Sequence, residues 1–137
     1  MLTCIHNLAM GEVFMIAKQS GVDMRTCFDC IRASAGNSFV WETAGPMLMQ
    51  GTYDPSFSIE LQCKDNQLGY QIARKHKVRF FNFYPNPPFF RLLMQVPMEV
   101  LGLAQQLYNK ANYSYGDDAP CYSPVKMLEE SLGVDLR

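Results

Sequence analysis

From Leu2 to Ser20 the apolar residues Leu2, Ile5, Leu8, Ala9, Val13, Ile16 and Ala17 recur at spacings of three and four, the stripe of an amphipathic helix. Gly21 stands where such a helix stops. No Ser, Thr, Asp or Asn precedes this helix and Met1 is already in register, so the pattern reads as a chain that starts inside a helix. Asp23 can cap a second helix with Met24, Cys27, Phe28 and Ile31 on its apolar face, ended by the stretch Ser34-Ala35-Gly36-Asn37-Ser38. A short helix is expected from Phe39 to Thr43, ahead of Pro46.

The run from Gly51 to Ser56 is rich in turn formers, and Ser56 or Ser58 can cap a helix that carries Ile59, Leu61, Leu68, Ile72 and Ala73 to about Lys77. Pro97 suits the first turn of a helix holding Val100, Leu101, Leu103, Ala104, Leu107 and Tyr108. A last helix is expected from Ser123, with Pro124 as its first residue, to near Gly133. No stretch alternates with period two and no internal repeat is visible, so the fold class is all-α. Between the fourth and fifth helices the pattern breaks: five of the nine Phe and three of the eight Pro fall between Val78 and Gln95.

A chain of 137 residues is long enough for one domain and one core, and too short for a nucleotide-binding domain plus a substrate domain. With 48% hydrophobic and 18% charged residues and a net charge of -1, it reads as soluble and globular. Lys and Arg are scattered, which argues against a phosphate-tracking surface for nucleic acid. The opening segment mixes His6, Asn7, Glu12 and Lys18 into its apolar residues and resembles neither a signal peptide nor a membrane span. A reducing compartment follows, with the cysteines at 4, 27, 30, 63 and 121 as free thiols; the expected location is the cytoplasm, with mitochondria left open.

Candidate chemistry is sparse. Cys27 and Cys30 have the spacing of a redox or zinc pair, but no second pair exists, and the two lie inside a predicted helix rather than at its start. His6 with Glu12 or Asp23 lacks a nucleophile in a recognisable turn and reads as a helix-surface histidine. Ser34–Ser38 has neither the preceding strand nor the third glycine of a dinucleotide fingerprint. Neither a catalytic residue nor a metal site is assigned. Lys64 and Asp65 sit mid-helix and, on spacing alone, read as a solvated pair.

The stretch from Ser34 to Val78, resumed at Pro97–Ala111, resembles the C-terminal domain of the 3-hydroxyisobutyrate dehydrogenase (β-hydroxyacid dehydrogenase) family. The resemblance rests most on Ser34-Ala35-Gly36-Asn37-Ser38 and on Phe57 followed seven residues later by Lys64-Asp65. It implies a helical C-terminal domain of the 6-phosphogluconate dehydrogenase-like type, which in full-length relatives follows a Rossmann domain, closes over the nicotinamide of NAD or NADP and helps form a dimer. Lys64 matches the family lysine beside the cofactor, and Phe57, less securely, an aromatic position of the same cleft. Asp65 divides between an orienting partner for Lys64 and helix surface. The expected partner is a second copy or an intact paralogue met through helical faces, with neither nucleic acid nor a membrane.

The sequence also departs from the family. Matching Glu12 to the family glutamate of the long first helix puts the catalytic asparagine immediately before Met1 and the catalytic lysine earlier still. The expectation is a truncated domain, inactive alone and without tight cofactor binding. Removing Val78–Gln95 joins the flanking helices by an ordinary family connection. Those eighteen residues are a whole number of codons, begin with a Val codon and end with Gln, as a retained short intron rich in pyrimidines would; a genuine lid or surface-binding loop is the competing account.

Overall fold

The computed structural model describes residues 1–53, 56–75 and 98–137. The predicted continuation to Lys77, the Val78–Gln95 segment and the role of Pro97 lie outside the described residues. Six helices follow one another: α1 Leu2–Gln19, α2 Met24–Arg32, α3 Phe39–Gln50, α4 Ile59–Lys75, α5 Glu99–Tyr115 and α6 Ser123–Leu132. Extended pairing among the described residues is limited to one isolated bridge, Ser58 to Pro120.

Local chemistry sets most of the boundaries. Met1 provides α1 with no side-chain cap, and at the other end Gly21, at φ 71°, lets Val22 N–H return to Ala17 O. Asp23 caps α2 by accepting from both the backbone N–H and the hydroxyl of Thr26, each at 2.8 Å. That carboxyl is held below its ordinary pKa by these bonds. Ser38 caps α3 through Trp41 N–H, and Ser58 caps α4 through Leu61 N–H.

The third helix corrects the short Phe39–Thr43 expectation, since it continues through Pro46 to Gln50. Proline removes one helical N–H, yet the preceding Gly45 offers no Cβ to clash with the ring, and Trp41, Ala44, Gly45 and Leu48 are all buried. Tertiary burial outweighs the lost hydrogen bond. Gly45 is also required by packing, because a Cβ there would meet the Phe28 ring at 2.8 Å.

Two hydrophobic clusters share α1. Its later turns contribute Met10, Phe14 and Met15 to a core with Phe28, Trp41 and Leu48, closed by Val125 and Leu136. Its first turns place Cys4 in a second cluster with Ile59, Cys63, Leu101 and Tyr108. The helix faces differ from those expected. On α1, Leu2 and Ile16 are 64% and 66% exposed, while Asn7 and Gly11 are buried. Gly11 lets α6 approach so closely that a Cβ would lie 2.8 Å from Val125 Cγ2. On α5, Leu101, Ala104 and Tyr108 are inside but Val100 and Leu103 are outside.

The largest reversal is in α4. Ile59 and Ala73 are buried as expected, whereas Leu61, Leu68 and Ile72 face outward and Gln62, Cys63 and Asn66 face inward. Two physical causes are visible. Gln62 Nε2 donates to Asn66 Oδ1 at 3.2 Å, which offsets part of the desolvation of both amides. The small Cys63 and Ala73 are also buried on that side, where Cys63 packs with Leu101 and Ala104 of α5.

Three tyrosines give the fold a testable pH response. Burial and the Glu130 carboxylate push Tyr115 up to about 12; burial and Glu129 raise Tyr53, and burial raises Tyr108. Each phenol therefore keeps its proton in the folded chain above the ordinary value of about 10. The Tyr115 contribution is fully present below pH ~10 and is lost as pH rises to about 12, while for Tyr53 and Tyr108, raised further, the loss continues above that. Thermal melts followed by circular dichroism should show Tm falling across that interval, and less steeply in Tyr115→Phe. A flat profile would contradict the assignment.

Candidate functional site

The candidate residues gather on the first half of α4 and its lead-in. Phe57 is half-buried, and its carbonyl accepts from Cys121 N–H at 2.9 Å while Ile59 N–H donates to Ala119 O at 2.7 Å. This short pairing fixes where α4 begins. One turn on, Ile59 and Cys63 pack against Cys4 and Leu101, which ties the start of α4 to the start of α1. The anchored side of the helix leaves Lys64 and Asp65 exposed.

Among the described residues, neither the Lys64 nor the Asp65 side chain enters a hydrogen bond or ion pair with the other or with a neighbour. The structure thus puts the two charges on one helix without joining them, and brings Phe57 no nearer than the same helix start. Around them the exposed surface of α4 is mixed: Leu61, Leu68 and Ile72 are 38%, 48% and 62% exposed, beside exposed Glu60, Gln67 and Gln71. An exposed ammonium of this kind has three donors to offer an oxygen-rich ligand.

Other chemistry is absent from the described residues. They contain no group of three or more His, Cys, Asp or Glu able to hold a metal ion. All five cysteines are free, and burial pushes the Cys4, Cys27 and Cys63 thiols up, away from the reactive thiolate. Cys30 is exposed on α2 and His6 half-buried on α1. No described helix is long and apolar enough to cross a membrane.

Two features escaped the sequence reading. One is the buried amide set Asn7, Gln62, Asn66 and Gln105, which the four-residue spacing of Gln62 and Asn66 could have suggested. The other is Glu129, whose carboxylate accepts from the Tyr53 hydroxyl and from Leu136 N–H. No local pattern announces that contact, because Tyr53 and Glu129 are far apart in the chain.

Residues 1–83 match the family described as NAD-binding of NADP-dependent 3-hydroxyisobutyrate dehydrogenase. The chain belongs to this family. The match stops inside the Val78–Gln95 segment, so likeness beyond it rests on the fold. Among curated relatives, L-threonate dehydrogenase of Cupriavidus necator is 31% identical over 77 residues, 56% of this chain and 26% of that protein. The fold is similar to that of 3-hydroxyisobutyrate dehydrogenase from Salmonella typhimurium, with TM-score 0.69, 19% identity, and coverage of 92% of this chain and 38% of the other. A structure of Psf3 in complex with NADP+ and 2-OPP gives TM-score 0.68 at 16% identity, covering 93% and 38%. At such identities these structures show the fold alone. The chain thus spans about a quarter of this curated relative and 38% of the solved chains.

Proposed function

We propose that this chain is the helical cofactor-cleft domain of an NAD(P)-dependent hydroxyacid dehydrogenase, with Lys64 donating hydrogen bonds to the cofactor, Phe57 lining the cleft and Asp65 beside Lys64 on the exposed helix surface. The observation that carries this reading is an exposed ammonium, unpaired among the described residues, on a helix whose inner side is anchored to the start of α1. A dinucleotide is rich in ribose, amide and phosphate oxygens, so the donor set fits it. Bound, the cofactor accepts or gives a hydride at its nicotinamide ring. The glycine-rich phosphate loop that would grip it is not in this sequence.

Residues 1–137 alone should therefore reduce neither NAD+ nor NADP+ with L-threonate or 3-hydroxyisobutyrate above background. Fused behind the nucleotide-binding domain and first helical turns of a family member, the chain should gain activity. In that fusion Lys64→Ala should weaken transition-state binding by about 1–3 kcal/mol, the cost of a charged hydrogen bond, read as kcat/KM for the cofactor. Equal activity with alanine would return Lys64 to the solvated surface.

A second reading is an interaction module that pairs with a second copy or an intact paralogue. The exposed Leu61, Leu68 and Ile72 on α4, with Val100 and Leu103 on α5, favour it. Light scattering of the chain, alone and mixed with a full-length relative, separates the two: a monomer in both samples removes the pairing account.

A further inference from the structure

The faces that α1, α4 and α5 turn towards one another hold a polar layer. Asn7, Gln62, Asn66, Gln105 and Tyr108 are all buried there, among Cys4, Ile59, Cys63 and Leu101. Several of their polar atoms are paired: Asn7 Nδ2 donates to the Tyr108 hydroxyl at 3.4 Å, Gln62 Nε2 to Asn66 Oδ1 at 3.2 Å and Gln105 Nε2 to Asn109 Oδ1 at 2.6 Å. Three atoms of the layer have no partner among the described residues: the acceptors Asn7 Oδ1 and Gln105 Oε1, and the donor Asn66 Nδ2.

These three side chains share one neighbourhood. Burial raises both the Cys4 and Cys63 thiols, and against that rise the Asn66 amide acts on Cys4 and the Gln105 amide on Cys63, while the two thiols pack in one cluster. Asn66 lies beside Cys4 without completing a hydrogen bond to it. Asn7 stands one turn along α1 from Cys4 and reaches Tyr108, which Cys4 also influences. Turning the Asn66 amide over would not resolve the mismatch, since it breaks the bond from Gln62 and replaces a lone donor by a lone acceptor.

Two acceptors and one donor are the complement of one water molecule, which donates twice and accepts once. We propose that a single long-lived water is bound at this junction, donating to Asn7 Oδ1 and Gln105 Oε1 and accepting from Asn66 Nδ2. It bridges all three helices through groups they cannot otherwise satisfy, and lies on the inner side of the helix that bears Lys64.

Oxygen-17 magnetic relaxation dispersion on the 137-residue chain counts long-lived internal waters. Asn66→Leu and Asn7→Leu should each lower the count by one with far-UV circular dichroism unchanged. In the wild-type chain, the Asn66 side-chain amide protons should show a rotating-frame Overhauser cross-peak to water. A count that stays the same in both folded variants overturns the proposal, as does a crystal structure with Asn66 Nδ2 bonded directly to Asn7 Oδ1. If neither variant folds, the wild-type cross-peak decides alone: its presence supports the water, its absence refutes it.

Discussion

Trp41→Ala is expected to cost about 3–5 kcal/mol of folding stability, the range for deleting a fully packed aromatic. The indole is 4% exposed and lies against Phe14, with ring centroids 4.8 Å apart, and stacks on Phe28 at 5.9 Å. Its Nε1–H also donates to Phe28 O at 3.1 Å, so the truncation opens a cavity and removes this link from α3 to α2. Domains of this size hold roughly 5–15 kcal/mol in total, so the variant should be near the edge of folding. Urea unfolding followed by circular dichroism measures it, because Trp41 is the only tryptophan and fluorescence is lost with it. Trp41→Phe should recover most of the loss. A Trp41→Ala chain within about 1 kcal/mol of wild type would mean that the first cluster is far looser than described.

The second large effect is expected at Glu129. Its carboxylate holds the Tyr53 hydroxyl on one side and Leu136 N–H, at 2.9 Å, on the other. Glu129→Ala leaves both donors without their acceptor, which should cost about 2–4 kcal/mol. Leu136, 1% exposed, should then leave the core it shares with Phe14 and Leu48. Hydrogen exchange at the Leu136 amide reports this directly: protection should fall sharply in Glu129→Ala and less in Glu129→Gln, which keeps an acceptor. Unchanged protection in the alanine variant would show that Leu136 is held by packing alone.

Local signals made α2 and α6 readable from sequence: Asp23 caps α2, while α6 has Pro124 in its first turn and Gly133, in the left-handed region, at its end. The length of α3 was not readable: Pro46 is a local stop signal, and it is overridden by the burial of Trp41 and Leu48, partners that lie beyond any local window. The inner face of α4 was misread for a related reason. Counting apolar residues selects Leu61, Leu68 and Ile72, whereas the fold selects the side that carries Cys63 and Ala73 and whose amides bond to each other. For the candidate site, periodicity alone left Lys64 and Asp65 as solvated surface. Only the family resemblance marked them, and the cofactor role it suggests rests on chemistry that spacing does not encode.

The sharing of one core by early and late residues has a consequence for synthesis on the ribosome. Phe14, Phe28, Trp41 and Leu48 are all present once the first 53 residues have emerged, but Val125 and Leu136, which close that cluster, come much later. Translation of the 83 residues from Asp54 to Leu136 takes roughly 4–17 s at about 5–20 residues per second. Throughout that interval the nascent chain carries an incomplete aromatic core with its lid still untranslated. A chaperone that shields exposed aromatics has its longest opportunity there, and a pause in translation after α5 would lengthen it.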